Sequence, residues 1–300
     1  MKIRMFSPPG SSQGAHKFAR LLQGELAAKY AYNIVRWDDE SPCDVAMARG
    51  GISPAQLERV KKNNEKLVIQ YGGADFAAPH SKRVLAMSMR AATGIVYNSR
   101  FGRETVHKYL GEFSAKEKVI YNGSSKGPRA PLNKHVCMVA CDSYVMPAKQ
   151  HALKVAIEAI EIIKQTYPDA ELVIVGKMAE KQARQGIAYG HIDDHDKLQK
   201  LRSSASVLIH MVEEDNCPNT VVEALGQGVP VVCHANSGTP EIVRYFGFPV
   251  REMDPEQVAS SAISLMCLGP KWQSKWLADF DQELSIEAVA GKYNAFLESL

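Results

Sequence analysis

The sequence predicts an α/β protein in which short parallel strands alternate with helices. Three observations carry this reading. The chain opens on a run that reads as a first strand, Met1 to Ser7, followed by the small-residue segment Pro8-Pro9-Gly10-Ser11-Ser12-Gln13-Gly14 and a helical stretch from His16 to Tyr30. That is the Rossmann order of a strand, a glycine-rich turn at its carboxyl end and the helix it opens. Glu171 to Gly176, with Leu-Val-Ile-Val at its centre, reads as a strand buried on both faces of a parallel sheet. Ser204 to Met211, with Val207 and Ile209, is another such run, and it too passes through a polar loop into a helix. A single glycine-rich loop is also what ordinary turn chemistry produces, so the fold class rests on the repetition.

Along the chain, Lys66 to Gln70 is a further strand, ending in Tyr71-Gly72-Gly73-Ala74-Asp75. Ser124 to Leu132 is too polar and too rich in helix and strand breakers for a core element. It divides the chain into a first domain, residues 1–128, and a second, residues 129–300. A chain of 300 residues can bury one large or two modest cores. In the second domain, Val136 to Cys141 is an apolar strand, and Lys149 comes shortly before an amphipathic helix from Leu153 to Gln165. After the strand Ser204 to Met211, Thr220 is suited to a helix N-cap, and Glu223 three residues later would complete a capping box. Gly228 and Pro230 stop that helix before the apolar run Val229 to Cys233. Ser285 to Leu300 carries Ala288, Tyr293, Phe296 and Leu297 at helical spacing.

The formal charge of +3 conceals an asymmetry. Residues 1–130 hold 21 Lys and Arg against 11 Asp and Glu, a net of +10, whereas residues 131–300 hold 15 against 22, a net of −7. A basic surface steers and holds polyanions. The first domain is therefore expected to meet an anionic partner, a lipid-linked glycan at a membrane surface or a nucleic acid; the alternative is a solvated basic face with no partner. There is no run of about 18 apolar residues, so no transmembrane segment is expected. Met1 leads into a charged strand rather than a signal peptide, which points to a cytoplasmic protein, peripheral at a membrane surface if its acceptor is there. The cysteines Cys43, Cys137, Cys141, Cys217, Cys233 and Cys267 lack metal-ligand spacing and read as small apolar residues of strands and helices, apart from Cys217 in a polar loop. Asp38-Asp39 and Asp193-Asp194 read as solvated acids rather than metal ligands.

The densest chemistry lies between Glu214 and Val232. Two carboxylates, Asp215 and Glu223, stand around a turn that opens into a helix, where free N–H groups and the helix dipole suit a phosphate. Taken locally, Glu223 is either a capping partner or a ligand, and Asp215 either a solvated loop acid or a ligand.

This block resembles the donor-site signature of retaining glycosyltransferases of family 4, the glycosyl transferases group 1, which have the GT-B architecture of two facing Rossmann-like domains. Two acids separated by seven residues frame the loop, and Glu223-Ala224-Leu225 leads to Gly228-Val229-Pro230-Val231-Val232, although Asp215 stands where the family usually has Glu. The resemblance implies a hexosyl- or pentosyltransferase that uses a nucleoside diphosphate sugar as donor substrate, with no cofactor and no obligatory metal. It implies that Glu223 binds the ribose hydroxyls and Asp215 the sugar hydroxyls. The N–H groups of Asn219 and Thr220 would meet the diphosphate, and Asn216, Cys217 and Pro218 belong to the same loop. Lys149 matches a lysine that neutralises the diphosphate, while Cys141 to Met146 offers no equivalent of the family's arginine. Gly190-His191-Ile192 is similar to the loop that brackets the base, and Gly10, Ser11 and Gly14 to the loop that approaches the reacting sugar and phosphate. Gly238 to Val243 resembles the turn after the next strand; Ile95 to Ser99 and Val119 to Gly123 resemble the last strand ends of the first domain. The C-terminal helix is expected to cross back to the first domain.

Two departures keep other readings open. The first domain, at roughly 130 residues, is small for the acceptor domain that the resemblance implies, and the family's first-domain histidine is missing, with Asp75 and His80 its nearest substitutes. A sugar-nucleotide epimerase or a phosphorylase on the same fold is one alternative. A non-catalytic nucleotide-sugar or polyanion-binding protein is the other.

Overall fold

The computed structural model describes residues 1–5, 14–73, 79–128, 135–140, 147–176, 187–192, 194–244, 246–268 and 270–300. They divide into two compact units, Met1–Gly123 together with Ile286–Leu300, and Ser124–Ser285.

In the first unit the order is β1 (Lys2–Met5), α1 (Gly14–Tyr30), β2 (Asn33–Arg36), β3 (Val45–Arg49), α2 (Pro54–Lys62), β4 (Lys66–Tyr71), α3 (Pro79–Ala91), β5 (Gly94–Tyr97), α4 (Arg100–Leu110) and β6 (Lys116–Val119). The strands form one parallel sheet in the order β2-β1-β3-β4-β5-β6. Alternation along each strand feeds two cores, one per face. Val45, Met47, Val68 and Val96 face one core, with Phe18, Leu22 and Leu26 of α1. Ala46, Ala48, Leu67, Ile69 and Ile95 face the other, with Leu57 and Val60 of α2 and Leu85 and Met89 of α3. The chain returns at its end: Ile286, Val289, Tyr293, Phe296 and Leu297 of a last helix complete the α1 face. That helix spans Ile286–Glu298, so the C-terminal helix does cross back to the first unit. Local signals place the helices. Ser53 and Gln56 form a capping box with Pro54 at the first helical position, and the Ser99 hydroxyl accepts from the Gly102 N–H at 2.9 Å to start α4.

The second unit runs β7 (Val136–Ala140), α5 (Pro147–Thr166), β8 (Glu171–Val175), β9 (Ile187–Ala188), α6 (His195–Ser203), β10 (Val207–His210), α7 (Asn219–Leu225), β11 (Val231–His234), α8 (Thr239–Val243), β12 (Gly247–Val250), α9 (Pro255–Met266) and α10 (Pro270–Glu283); the last helix is α11. Its sheet is also parallel, ordered β12-β11-β10-β7-β8-β9. Cys137, Val139, Leu172, Ile174, Val207 and Ile209 pack with α5 and α9 side chains such as Ala156, Ile160, Val258 and Ala262. α5 begins at Pro147 rather than Leu153, which puts Lys149 inside its first turn. The apolar spacing misses that turn because Gln150 and His151 are exposed. Among the described residues, no helix is long and apolar enough to cross a membrane.

Candidate functional site

Ligands of open parallel sheets bind beyond the carboxyl ends of the strands, where the strand order reverses. In the second unit that point lies between β7 and β10, whose Cα partners include Val207 with Cys137 and Leu208 with Met138. From β7 the chain proceeds to α5, with Lys149 in its first turn; from β10 it proceeds through Met211–Pro218 to α7. The lysine and the acid-bearing loop therefore leave the sheet at one edge, on either side of the reversal.

The loop after β10 is pinned by backbone bonds to the loop after β11. Glu214 adopts φ +57° and donates its N–H to the Asn236 carbonyl at 3.0 Å, while the Gly238 N–H donates to the Asp215 carbonyl at 2.8 Å. Asn236 in turn donates its N–H to His234 Nδ1 at 3.1 Å. Asn216, Cys217 and Pro218 are buried. The segment is thus a fixed shelf, from which Asp215 emerges with its side chain 30% exposed.

The shelf corrects one expectation. The N-cap of α7 is Pro218, not Thr220, and no side chain caps the helix. Asn219 and Thr220 are its first two residues, and the Pro218 carbonyl already accepts from the N–H groups of Val221 and Val222 at 3.0 and 3.2 Å. Proline, at φ −67°, enters the helix without needing a donor, so Thr220 is carried past the cap position. An N–H group of an α-helix finds its acceptor four residues earlier, so those of Asn219 and Thr220 face out of the helix start.

Glu223, released from the capping role, meets a partner the sequence did not announce. Arg202, in the last turn of α6, places Nη2 2.6 Å from Glu223 Oε2, and their side chains are only 3% and 12% exposed. Burial lowers the pKa of Arg202, and the Glu223 carboxylate pulls it back. Two histidines at strand ends were missed as well. His210 Nε2 lies 3.5 Å from Asp215 Oδ2, buried and without a hydrogen-bond partner, and His234 Nε2 lies 3.5 Å from Glu213 Oε1. Leu201-Arg202-Ser203-Ser204 looks like the polar end of a surface helix, and His210 closes an apolar run; only tertiary packing makes either of them a neighbour of an acid.

The remaining candidates are spread over both units. Gly190 takes φ +64°, a conformation suited to glycine, and its carbonyl accepts from the Gly176 N–H at 2.7 Å. This holds backbone beside the carboxyl end of β8, with His191 exposed next to it. Gly14 begins α1 in the first unit, while Gly10 and Ser11 lie outside the described residues, as do Asp75, Cys141 and Asp193. His80 belongs to α3. The other acid-pair residues serve local structure: Asp38 pairs with Arg36 at 3.0 Å, Asp39 accepts from the Ser41 N–H at 2.8 Å, and Asp194 caps α6. Cys43, Cys137, Cys217 and Cys233 are buried, and burial pushes the Cys137 and Cys233 thiols up to about 12. Cys267 departs from the expectation by being exposed at the end of α9, where its thiol lies 3.2 Å from the Tyr167 hydroxyl.

Residues 135–267 match the family described as Glycosyl transferases group 1. No curated protein matches the chain by sequence. Among solved structures the chain is similar to HepE from Anabaena in complex with UDP and glucose, with a TM-score of 0.72, 17% identity and complete coverage of both chains. It is similar also to sucrose-phosphate synthase from Thermosynechococcus elongatus, with a TM-score of 0.75, 14% identity and coverage of 99% and 98%. A glycosyltransferase from Rickettsia africae gives 0.71, 15%, and again 99% and 98%. At these identities the likeness is one of fold.

Proposed function

We propose that this chain, whose residues 135–267 match the glycosyl transferases group 1 family and whose fold is that of GT-B glycosyltransferases, moves a sugar from a nucleoside diphosphate sugar to an anionic acceptor, with retention of anomeric configuration. The observation that carries this reading is that Asp215, just before α7, and Glu223, within it, flank the start of that helix at the carboxyl edge where the second sheet reverses its order. HepE, solved with UDP and with UDP-glucose, makes uracil the first base to try.

In this reading Glu223 accepts hydrogen bonds from the ribose hydroxyls and Asp215 from hydroxyls of the sugar. The N–H groups of Asn219 and Thr220 receive the diphosphate together with Lys149, while Asn216, Cys217 and Pro218 keep the turn in place. Backbone groups at Gly190, flanked by His191, bracket the base. The bond from the anomeric carbon to the phosphate oxygen breaks as the acceptor oxygen bonds to that carbon on the same face, and the departing phosphate oxygen takes the acceptor's proton. The protein contributes orientation and charge stabilisation at the leaving diphosphate, where such a site gains most rate. Helix N–H groups and a lysine serve that charge, so neither metal nor cofactor is called for. The net +10 of residues 1–130 supports an acceptor such as a lipid-linked glycan, met by a cytoplasmic protein at a membrane surface.

The test is thermal shift with UDP, GDP, ADP and their sugars, on wild type and Glu223→Gln. A ligand at a hundred times its dissociation constant stabilises the fold by about 2.7 kcal/mol. A shift confined to one nucleotide and lost in the variant is expected. No shift with any of them would overturn the donor site.

A further inference from the structure

Arg202 is 2% exposed, and its Nε is buried without a hydrogen-bond partner, yet its Nη2 stands 2.6 Å from Glu223 Oε2. Burying a guanidinium is expensive, and replacing a buried ion pair with apolar groups of similar size is commonly neutral or stabilising. Folding alone gives little reason for this pair. A reason appears on the acid's side. Glu223 lies in α7 with its side chain only 12% exposed, and an unanchored glutamate side chain has many rotamers. A wandering carboxylate is a poor acceptor for a pair of hydroxyls.

We propose that Arg202 is the positioning residue for Glu223: bonded to one carboxylate oxygen, it fixes the side chain's orientation, so that Glu223 meets a ribose as a set acceptor. The proposal rests on the assignment of Glu223 to the ribose. Lysine in place of arginine supplies the charge but not the planar fork, so it separates orientation from charge.

The experiment is calorimetric titration with whichever of UDP, GDP and ADP binds most tightly, and with its 2′-deoxy analogue. Wild type should prefer the ribonucleotide by tenfold or more, and Glu223→Gln should lose the preference. Arg202→Met should lose it too, while binding the 2′-deoxy analogue as tightly as wild type does. Arg202→Lys, which keeps the charge without the fork, should reduce the preference at least threefold. Wild-type preference in Arg202→Met, or an equal loss of affinity for both nucleotides, would make the pair merely structural and overturn the proposal. Should Arg202→Met fail to fold, an unreduced preference in Arg202→Lys would overturn it equally. If no nucleotide binds, or Glu223→Gln keeps the preference, the ribose assignment falls first and takes the proposal with it.

Discussion

Arg4 takes a full charge into the first unit. Its Nη2 donates to Glu65 Oε1 at 2.8 Å and to the Ser41 carbonyl at 2.8 Å, and its Nε donates to Glu65 Oε2 at 3.3 Å; both side chains are fully buried. Burial alone would raise the pKa of the Glu65 carboxyl, but the hydrogen bonds from Arg4 and Asn63 outweigh it and hold the carboxyl below its ordinary value. A depressed carboxylate stabilises the fold above its unfolded pKa, near 4.3 for glutamate, and that stability is lost as pH falls through the folded value. Denaturant titrations from pH 7 to 3 should show a steeper acid decline in wild type than in Glu65→Gln. At pH 7 the substitution should cost about 3–5 kcal/mol, because Arg4 is left buried and unpaired; equal acid limbs would refute the assignment. The pair also marks the limit of what residue reading can see. Asp215 and Glu223 were legible because their spacing and the turn between them are local. Glu65 under Arg4, Arg202 under Glu223 and His210 beside Asp215 were not, because the partner of each is set by packing with a segment distant in sequence or by the fold of the loop, not by a local pattern.

Elements were legible where a core face left a periodic trace and illegible where it did not. α11 announced itself by Tyr293, Phe296 and Leu297, and those side chains are buried. The first turn of α5, with Gln150 and His151 exposed, carried no apolar trace, nor did the two-residue edge strand β9 or β12, where Phe248 and Pro249 are exposed. The return of α11 is tight: a Cβ at Gly94 in β5 would meet Phe296 at 2.9 Å and Leu300 at 3.0 Å. Phe296→Ala should accordingly cost about 3–5 kcal/mol, the range for a buried phenylalanine. Gly94→Ala should destabilise the same unit; chemical denaturation reads both, and a neutral Gly94→Ala would mean that α11 is not docked this closely. At α7 the missing cap gives the opposite expectation. Thr220→Ala should change stability by no more than about 0.5 kcal/mol, whereas Asp194→Ala, which removes the side chain that accepts from the N–H groups of Asp196 and Lys197, should cost about 1 kcal/mol. A large effect at Thr220 would restore the capping box.

At the scale of the molecule, two parallel sheets each reverse their order once, and the chain charges them oppositely. Exposed basic groups of the first unit include Lys108 in α4, beside Tyr109, whose ring is 52% exposed with the ammonium groups of Lys82 and Lys108 at 5.3 and 5.6 Å from its centre. An aromatic ring between two cations suits a phosphate-bearing surface, where the ring buries apolar area and the cations meet charge. If the acceptor is anionic, binding to vesicles should require acidic lipid and should weaken steeply with salt, since the screening length falls from about 10 Å at 0.1 M to about 3 Å at 1 M. Cosedimentation with vesicles of phosphatidylcholine alone, or mixed with phosphatidylserine, provides the measurement. Lys82→Glu with Lys108→Glu should reduce binding to the acidic vesicles while leaving nucleotide binding intact, because the residues assigned to the nucleotide, Glu223, Asn219, Thr220, Lys149 and Gly190, all lie within 135–267. Binding that ignores both salt and lipid charge would show that the basic surplus of residues 1–130 is solvated and would remove the ground for an anionic acceptor, leaving the donor site untouched.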